Sequence, residues 1–231
     1  ETVDIFKVGS QLFTACGPEV VYFLLDNGKK VFLDLKFHDI PNTVGKAVES
    51  AVGLAQGKNG IFMLTLHAQG GVEMLRTAVQ AAAKKAENIK VKPPLVVAVT
   101  VLTHSTSLPG LTAPKGAYFG REFIEGLTSE HKKDSITSLV LELARASKEA
   151  GCDGVVASAK EAVEIRKKFG KNFVIVTPGI RPQGSDAGDQ KRIATPQEAI
   201  LAGSNFLVVG RPILQAKDPL KAVEEILREI R

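Results

Sequence analysis

Short runs of branched apolar residues recur along the chain and alternate with longer amphipathic stretches. The runs lie at 5–8, 31–36, 61–67, 95–102, 154–157, 173–177 and 206–209. All are strand-sized, well short of the roughly 18–20 residues that span a bilayer. Near-continuous apolar strands separated by helical segments describe a parallel sheet buried on both faces. Several helices carry start and stop signals. Ser158-x-x-Glu161 reads as a capping box, with Gly170 as the stop. Thr195-Pro196-x-Glu198 repeats the box, and Gly203 closes that helix. Asp218-Pro219 opens the last helix, where Leu220, Val223, Ile226, Leu227 and Ile230 form one stripe.

Two α/β architectures fit this alternation: an open doubly wound sheet or a closed (β/α)8 TIM barrel. No G-x-G-x-x-G follows the first strand, which weakens the dinucleotide-binding version. Polar residues end several different strands, namely Lys7, Lys36, His67, Thr103 and Arg211. A barrel gathers all its strand ends at one mouth, so this distribution favours it. The count gives seven strand–helix units rather than eight, and the first strand is expected to be absent from this chain. Residues 1–231 then form a single barrel domain. The stretch 104–134 is too long for a plain βα loop and reads as an insertion or lid.

Composition narrows the function. The 231 residues include 30 Lys and Arg against 25 Asp and Glu, a net charge of +5. With two Tyr, no Trp and basic residues spread throughout, stacking platforms and a basic stripe are missing, so no nucleic-acid partner is expected. The pairs Lys29-Lys30, Lys84-Lys85, Lys132-Lys133 and Lys167-Lys168 read as solvated helix ends and loops. An anionic small molecule suits the charge. No signal peptide or membrane segment is read, and the first residue is not Met. Cys16 and Cys152 stand far apart, outside metal or disulfide spacing, and read as plain buried residues of a reducing, cytoplasmic compartment.

The densest chemistry lies in Asp34-Leu-Lys36-Phe-His-Asp39-Ile-Pro-Asn-Thr43. Strand alternation puts Asp34 and Lys36 on one face, with Leu33 and Leu35 on the other. A surface ion pair with Asp39 capping the next helix is the plainer interpretation. Charges at the end of an apolar parallel strand favour a catalytic one, with Lys36 as acid or electrostatic clamp. A second signal is Thr177-Pro-Gly-Ile-Arg181 with Gly210-Arg211 ending the next strand, the edge where barrels bind phosphate. The loop 181–192, with Gln183 and Gln190, could close over a ligand. His67 reads as a hydrogen-bonded core histidine. His38, His104 and His131 have no metal-ligand spacing, so no metal is assigned.

Together with Asp189-Gln190 and Val209-Gly-Arg211, these motifs resemble the orotidine 5′-phosphate decarboxylase family, from Phe6-Lys7-Val8-Gly9 to the last helix. The resemblance implies a barrel that acts as a homodimer and converts orotidine 5′-monophosphate to UMP without metal or cofactor. Lys36 would then protonate C6, and Asp34 would lie beside the scissile carboxylate. Asp39 and Thr43 would reach the partner's site. Lys7 would meet the ribose and Thr103 the pyrimidine. Arg181, Gln190, Gly210 and Arg211 would serve the phosphate. The alternatives are a metal-dependent phosphosugar decarboxylase or aldolase-type barrel, and an inactive, truncated nucleotide-binding barrel.

Overall fold

The computed structural model describes residues 3–57, 59–102, 135–182 and 192–230. All seven expected strands form: β1 (Ile5–Gly9), β2 (Lys30–Phe37), β3 (Met63–His67), β4 (Leu95–Val99), β5 (Gly154–Val156), β6 (Val174–Thr177) and β7 (Phe206–Leu207). Strand order follows chain order. The expected excursion at 104–134 lies outside the described residues, as does 183–191 of the loop 181–192.

The chain divides into two compact units, the first holding residues 3–99 and 146–154. It carries β1 to β4, with the helices α1 (Ser10–Cys16), α2 (Glu19–Asp26), α3 (Pro41–Val52) and α4 (Gly71–Asn88). The strands pair in parallel, and β1 meets β2 with Gly9 opposite Asp34. Leu33, Leu64, Leu66 and Val97 are wholly buried, as strands covered on both faces require. Pro41 opens α3 from the first turn, where its missing N–H costs nothing. Helices α3 and α4 meet closely at Gly45: a Cβ there would lie 3.1 Å from Thr77 Cγ2. Cys16 is exposed at the end of α1, contrary to its reading as a buried residue, because α1 buries no side chain fully. Cys152 is buried, and burial pushes its thiol up to about 12.

The second unit holds residues 100–145 and 155–231. It carries β6, β7 and most of β5. Its helices are the larger part of α5 (Ser135–Glu149), then α6 (Ala159–Phe169), α7 (Pro196–Leu201), α8 (Arg211–Leu214) and α9 (Pro219–Glu229). The Thr195 capping box forms in full: Glu198 N donates to Thr195 Oγ1 at 3.2 Å, and Thr195 N donates to Glu198 Oε2 at 2.8 Å. The Ser158 box does not. Ser158 Oγ accepts instead from Lys160 N at 3.2 Å, and Glu161 turns away to a buried ion pair with Arg192. Gly170 ends α6 at φ +79°, a conformation open to a residue without Cβ. Asp218 caps α9 by accepting from Lys221 N at 3.0 Å. The α9 stripe is only partly buried: Val223 and Ile226 face inward, whereas Leu220 is 69% exposed in the first turn.

Candidate active site

The site is built in the first unit, at the C-terminal end of β2. The pairing of β2 with β3 shifts register between Leu33 and Phe37. Within that irregularity Lys36 adopts φ +53°, left-handed backbone that side chains with a Cβ disfavour. The neighbouring strand holds it there. Lys36 N donates to Thr65 Oγ1 at 2.9 Å, and the Thr65 hydroxyl donates onward to Asp34 Oδ1 at 3.0 Å. The Lys36 ammonium returns to the same oxygen, Nζ to Oδ1, at 2.8 Å. Asp34 and Lys36 therefore converge as expected, although the strand between them is not regular.

Lys7 completes the cluster from β1, with Nζ 3.2 Å from Asp34 Oδ2. The register that sets Gly9 beside Asp34 makes room for it. A Cβ on Gly9 would lie 2.9 Å from Lys7 Nζ, so the bare glycine lets the amine fold back toward the carboxylate. Asp34 is only 8% exposed. Burial alone would raise its pKa, but the Lys36 and Lys7 ammonium groups outweigh it and hold the carboxyl below its ordinary value. One ionised carboxylate thus faces two lysines.

Asp39 and Thr43 lie just beyond the strand and are exposed. Asp39 is not the helix cap of the plainer interpretation. Ile40 holds the cap position of α3, and Asp39 Oδ1 accepts from Ile40 N at 2.6 Å. His67 stacks on His38 with ring centroids 5.2 Å apart. Burial, then the nearby His38 and Lys36, push His67 down to about 4, so it is neutral at pH 7. Its Nδ1 is buried without a hydrogen-bond partner among the described residues, so the bond expected of a core histidine is not made there.

In the second unit, Thr177 is buried with its hydroxyl 2.6 Å from Ser204 Oγ. Arg181 is also buried; its backbone N donates to Ala194 O at 2.9 Å and its Nη1 to Ile180 O at 2.8 Å. Gly210 occupies the cap position of α8, and Arg211 begins that helix. Thr103 and Gln190 lie outside the described residues. Two features were not read from the sequence, a buried ion pair and a buried threonine. Arg192 and Glu161 form a buried ion pair in which Arg192 Nη1 and Glu161 Oε2 have no hydrogen-bond partner among the described residues. Thr65 is the other, and its signal was available: it is the one polar residue inside the apolar run 61–66, two positions before His67.

Among the described residues, no group of three or more His, Cys, Asp or Glu is arranged to hold a metal ion. None of the described helices is long and apolar enough to cross a membrane.

A model of the orotidine 5′-phosphate decarboxylase / HUMPS family matches residues 1–112 and 124–226. The orotidine 5′-phosphate decarboxylase of Pseudoalteromonas translucida is 47% identical over 226 residues, covering 97% of this chain and 85% of its own. A crystal structure of the enzyme of that name from Lactobacillus acidophilus aligns with a TM-score of 0.71 at 33% identity, over 97% of this chain and 86% of its own. An uncharacterised conserved protein from Geobacillus kaustophilus aligns with a TM-score of 0.74 at 32% identity, over 98% and 88%.

Proposed function

Because this chain belongs to the orotidine 5′-phosphate decarboxylase / HUMPS family, we propose that the cluster of Asp34, Lys36 and Lys7 is its catalytic centre. The fold is α/β of the TIM-barrel type. The chain is a lyase that converts orotidine 5′-monophosphate to UMP and carbon dioxide in pyrimidine biosynthesis.

Breaking the C6–carboxylate bond leaves its electron pair on C6, in the ring plane, with no conjugated sink. A fixed cation beside C6 stabilises that charge most strongly where water is excluded. In this reading Lys36 is that cation. It then gives one ammonium proton to C6, carbon dioxide departs, and a neutral amine remains to be reprotonated. Asp34 lies beside the leaving carboxylate and fixes the lysine. Lys7 meets the ribose and Thr103 the pyrimidine. The phosphate falls to Arg181, Gln190, Gly210 and Arg211. Arginine suits that dianion through its paired donors, and Gly210 leaves backbone N–H groups approachable. Binding energy from the remote phosphate can then be used at C6. Asp39 and Thr43 act across a homodimer, where each protomer completes the other's site. The compartment is cytoplasmic, and neither metal nor cofactor takes part.

The observation that carries this reading is the ionised Asp34 held 2.8 Å from the Lys36 ammonium and 3.2 Å from that of Lys7. The test is the loss of orotidine 5′-monophosphate absorbance with and without EDTA. Turnover is expected to be unchanged by the chelator. Turnover that collapses on chelation and returns with a divalent cation would replace this reading with metal-dependent sugar-phosphate chemistry.

A further inference from the structure

We propose that Thr65 is a positioning residue for the decarboxylation: its single hydroxyl sets both the left-handed backbone of Lys36 and the orientation of Asp34. The inference rests on the assignment of Lys36 and Asp34 as the groups that meet the substrate.

Thr65 stands in the middle of β3, with Leu64 and Leu66 on either side and all three wholly buried. Nothing in the packing of that strand calls for a hydroxyl. Valine has nearly the same shape, a higher affinity for an apolar interior, and equal suitability for a strand. The hydroxyl is nevertheless fully used. It accepts from Lys36 N at 2.9 Å and donates to Asp34 Oδ1 at 3.0 Å. Both partners belong to the catalytic cluster, and both lie on the adjacent strand where its register shifts.

The two bonds do different things. The first satisfies an N–H that the irregular pairing of β2 with β3 leaves without a regular ladder partner, at a residue held at φ +53°. The second directs one carboxylate oxygen of Asp34, the same oxygen that receives the Lys36 ammonium. The lysine's backbone N–H, the Thr65 hydroxyl, the Asp34 carboxylate and the lysine's own ammonium thus close a ring. Thr65 itself has no exposed surface with which to meet a substrate. Its removal should therefore leave nucleotide binding in place and misplace the proton donor, because small errors in the position of reacting groups cost rate more than affinity.

The experiment compares Thr65→Val, Thr65→Ser and Lys36→Ala with the intact chain. It measures kcat and KM for orotidine 5′-monophosphate, affinity for UMP, and thermal stability. Thr65→Val is expected to lower kcat at least about tenfold, with KM and UMP affinity within about threefold of the parent. Thr65→Ser, which keeps the oxygen and loses the methyl group, should restore kcat to within about threefold even where its melting temperature falls. A valine variant with parental kcat overturns the proposal, and so does a serine variant as slow as valine. If Thr65→Val does not fold, Thr65→Ala takes its place beside Thr65→Ser, and the same two outcomes decide. Lys36→Ala separates the levels: turnover surviving in that variant would overturn the site assignment itself, whereas loss there with normal turnover in Thr65→Val would overturn only the role of Thr65.

Discussion

Lys36 is the residue where local backbone preference and chemistry are in conflict. A lysine at φ +53° sits in a region that costs on the order of 1–2 kcal/mol, and it persists because Thr65 and Asp34 over-determine its position. The convergence of Asp34 with Lys36 was legible from alternation. The left-handed step and the register shift were not, since no residue in Leu-Asp-Leu-Lys-Phe signals a break. Thr65 escaped for a related reason: threonine is an ordinary strand former, and only its hydrogen bonds reveal its use. Asp34 also makes a stability prediction. Its folded-state pKa lies below its unfolded value, so its contribution is present in full above the unfolded value and is lost as pH falls through the folded one. At neutral pH Asp34→Asn should melt below the parent. Between about pH 5 and about pH 2 the gap should narrow, because the protonated acid comes to resemble the amide. Melting temperatures of both chains across that range check this; a gap independent of pH would contradict the electrostatic origin.

Elements were easiest to recognise where their hydrophobic pattern was strongest. Strand β4 appears where expected because a parallel strand covered on both faces writes itself as an unbroken apolar run, whereas β1 and β7 are less buried and shorter on apolar residues. Caps were harder. Thr195 and Glu198 form the box that their spacing announces, whereas Ser158 and Glu161, with the same spacing, do not. The difference is a long-range partner. Arg192, 31 residues away, claims the Glu161 carboxylate in a buried pair, and no local motif reports that. Breaking one side of such a pair strands a charge in the interior. Glu161→Ala is expected to lose about 3–5 kcal/mol in denaturant unfolding. The double change Glu161→Leu with Arg192→Met should recover most of that loss, because the penalty belongs to the orphaned charge. A double variant as unstable as the single one would show that packing, not charge, is what the pair supplies.

The relatives place the whole molecule in its family over nearly its full length, and the family match omits 113–123, within the stretch read from sequence as an insertion or lid. The exposed Asp39 and Thr43 lead to a prediction at this scale. Lys36→Ala and Asp39→Ala should each be inactive alone. Unfolded together and refolded as a mixture, they should regain about a quarter of parental activity, since half the dimers would be mixed and each would hold one complete site. A mixture with no regained activity would confine Asp39 to its own protomer. The role proposed for Lys36, held between Asp34 and Thr65, is delivery of the proton to C6. It is tested most directly by orotidine 5′-monophosphate turnover in Lys36→Ala beside its affinity for UMP. In Lys36→Ala, kcat is expected to fall by at least about a thousandfold with UMP still bound; a variant that binds UMP and turns over within about tenfold of the parent would overturn the proton-donor role of Lys36.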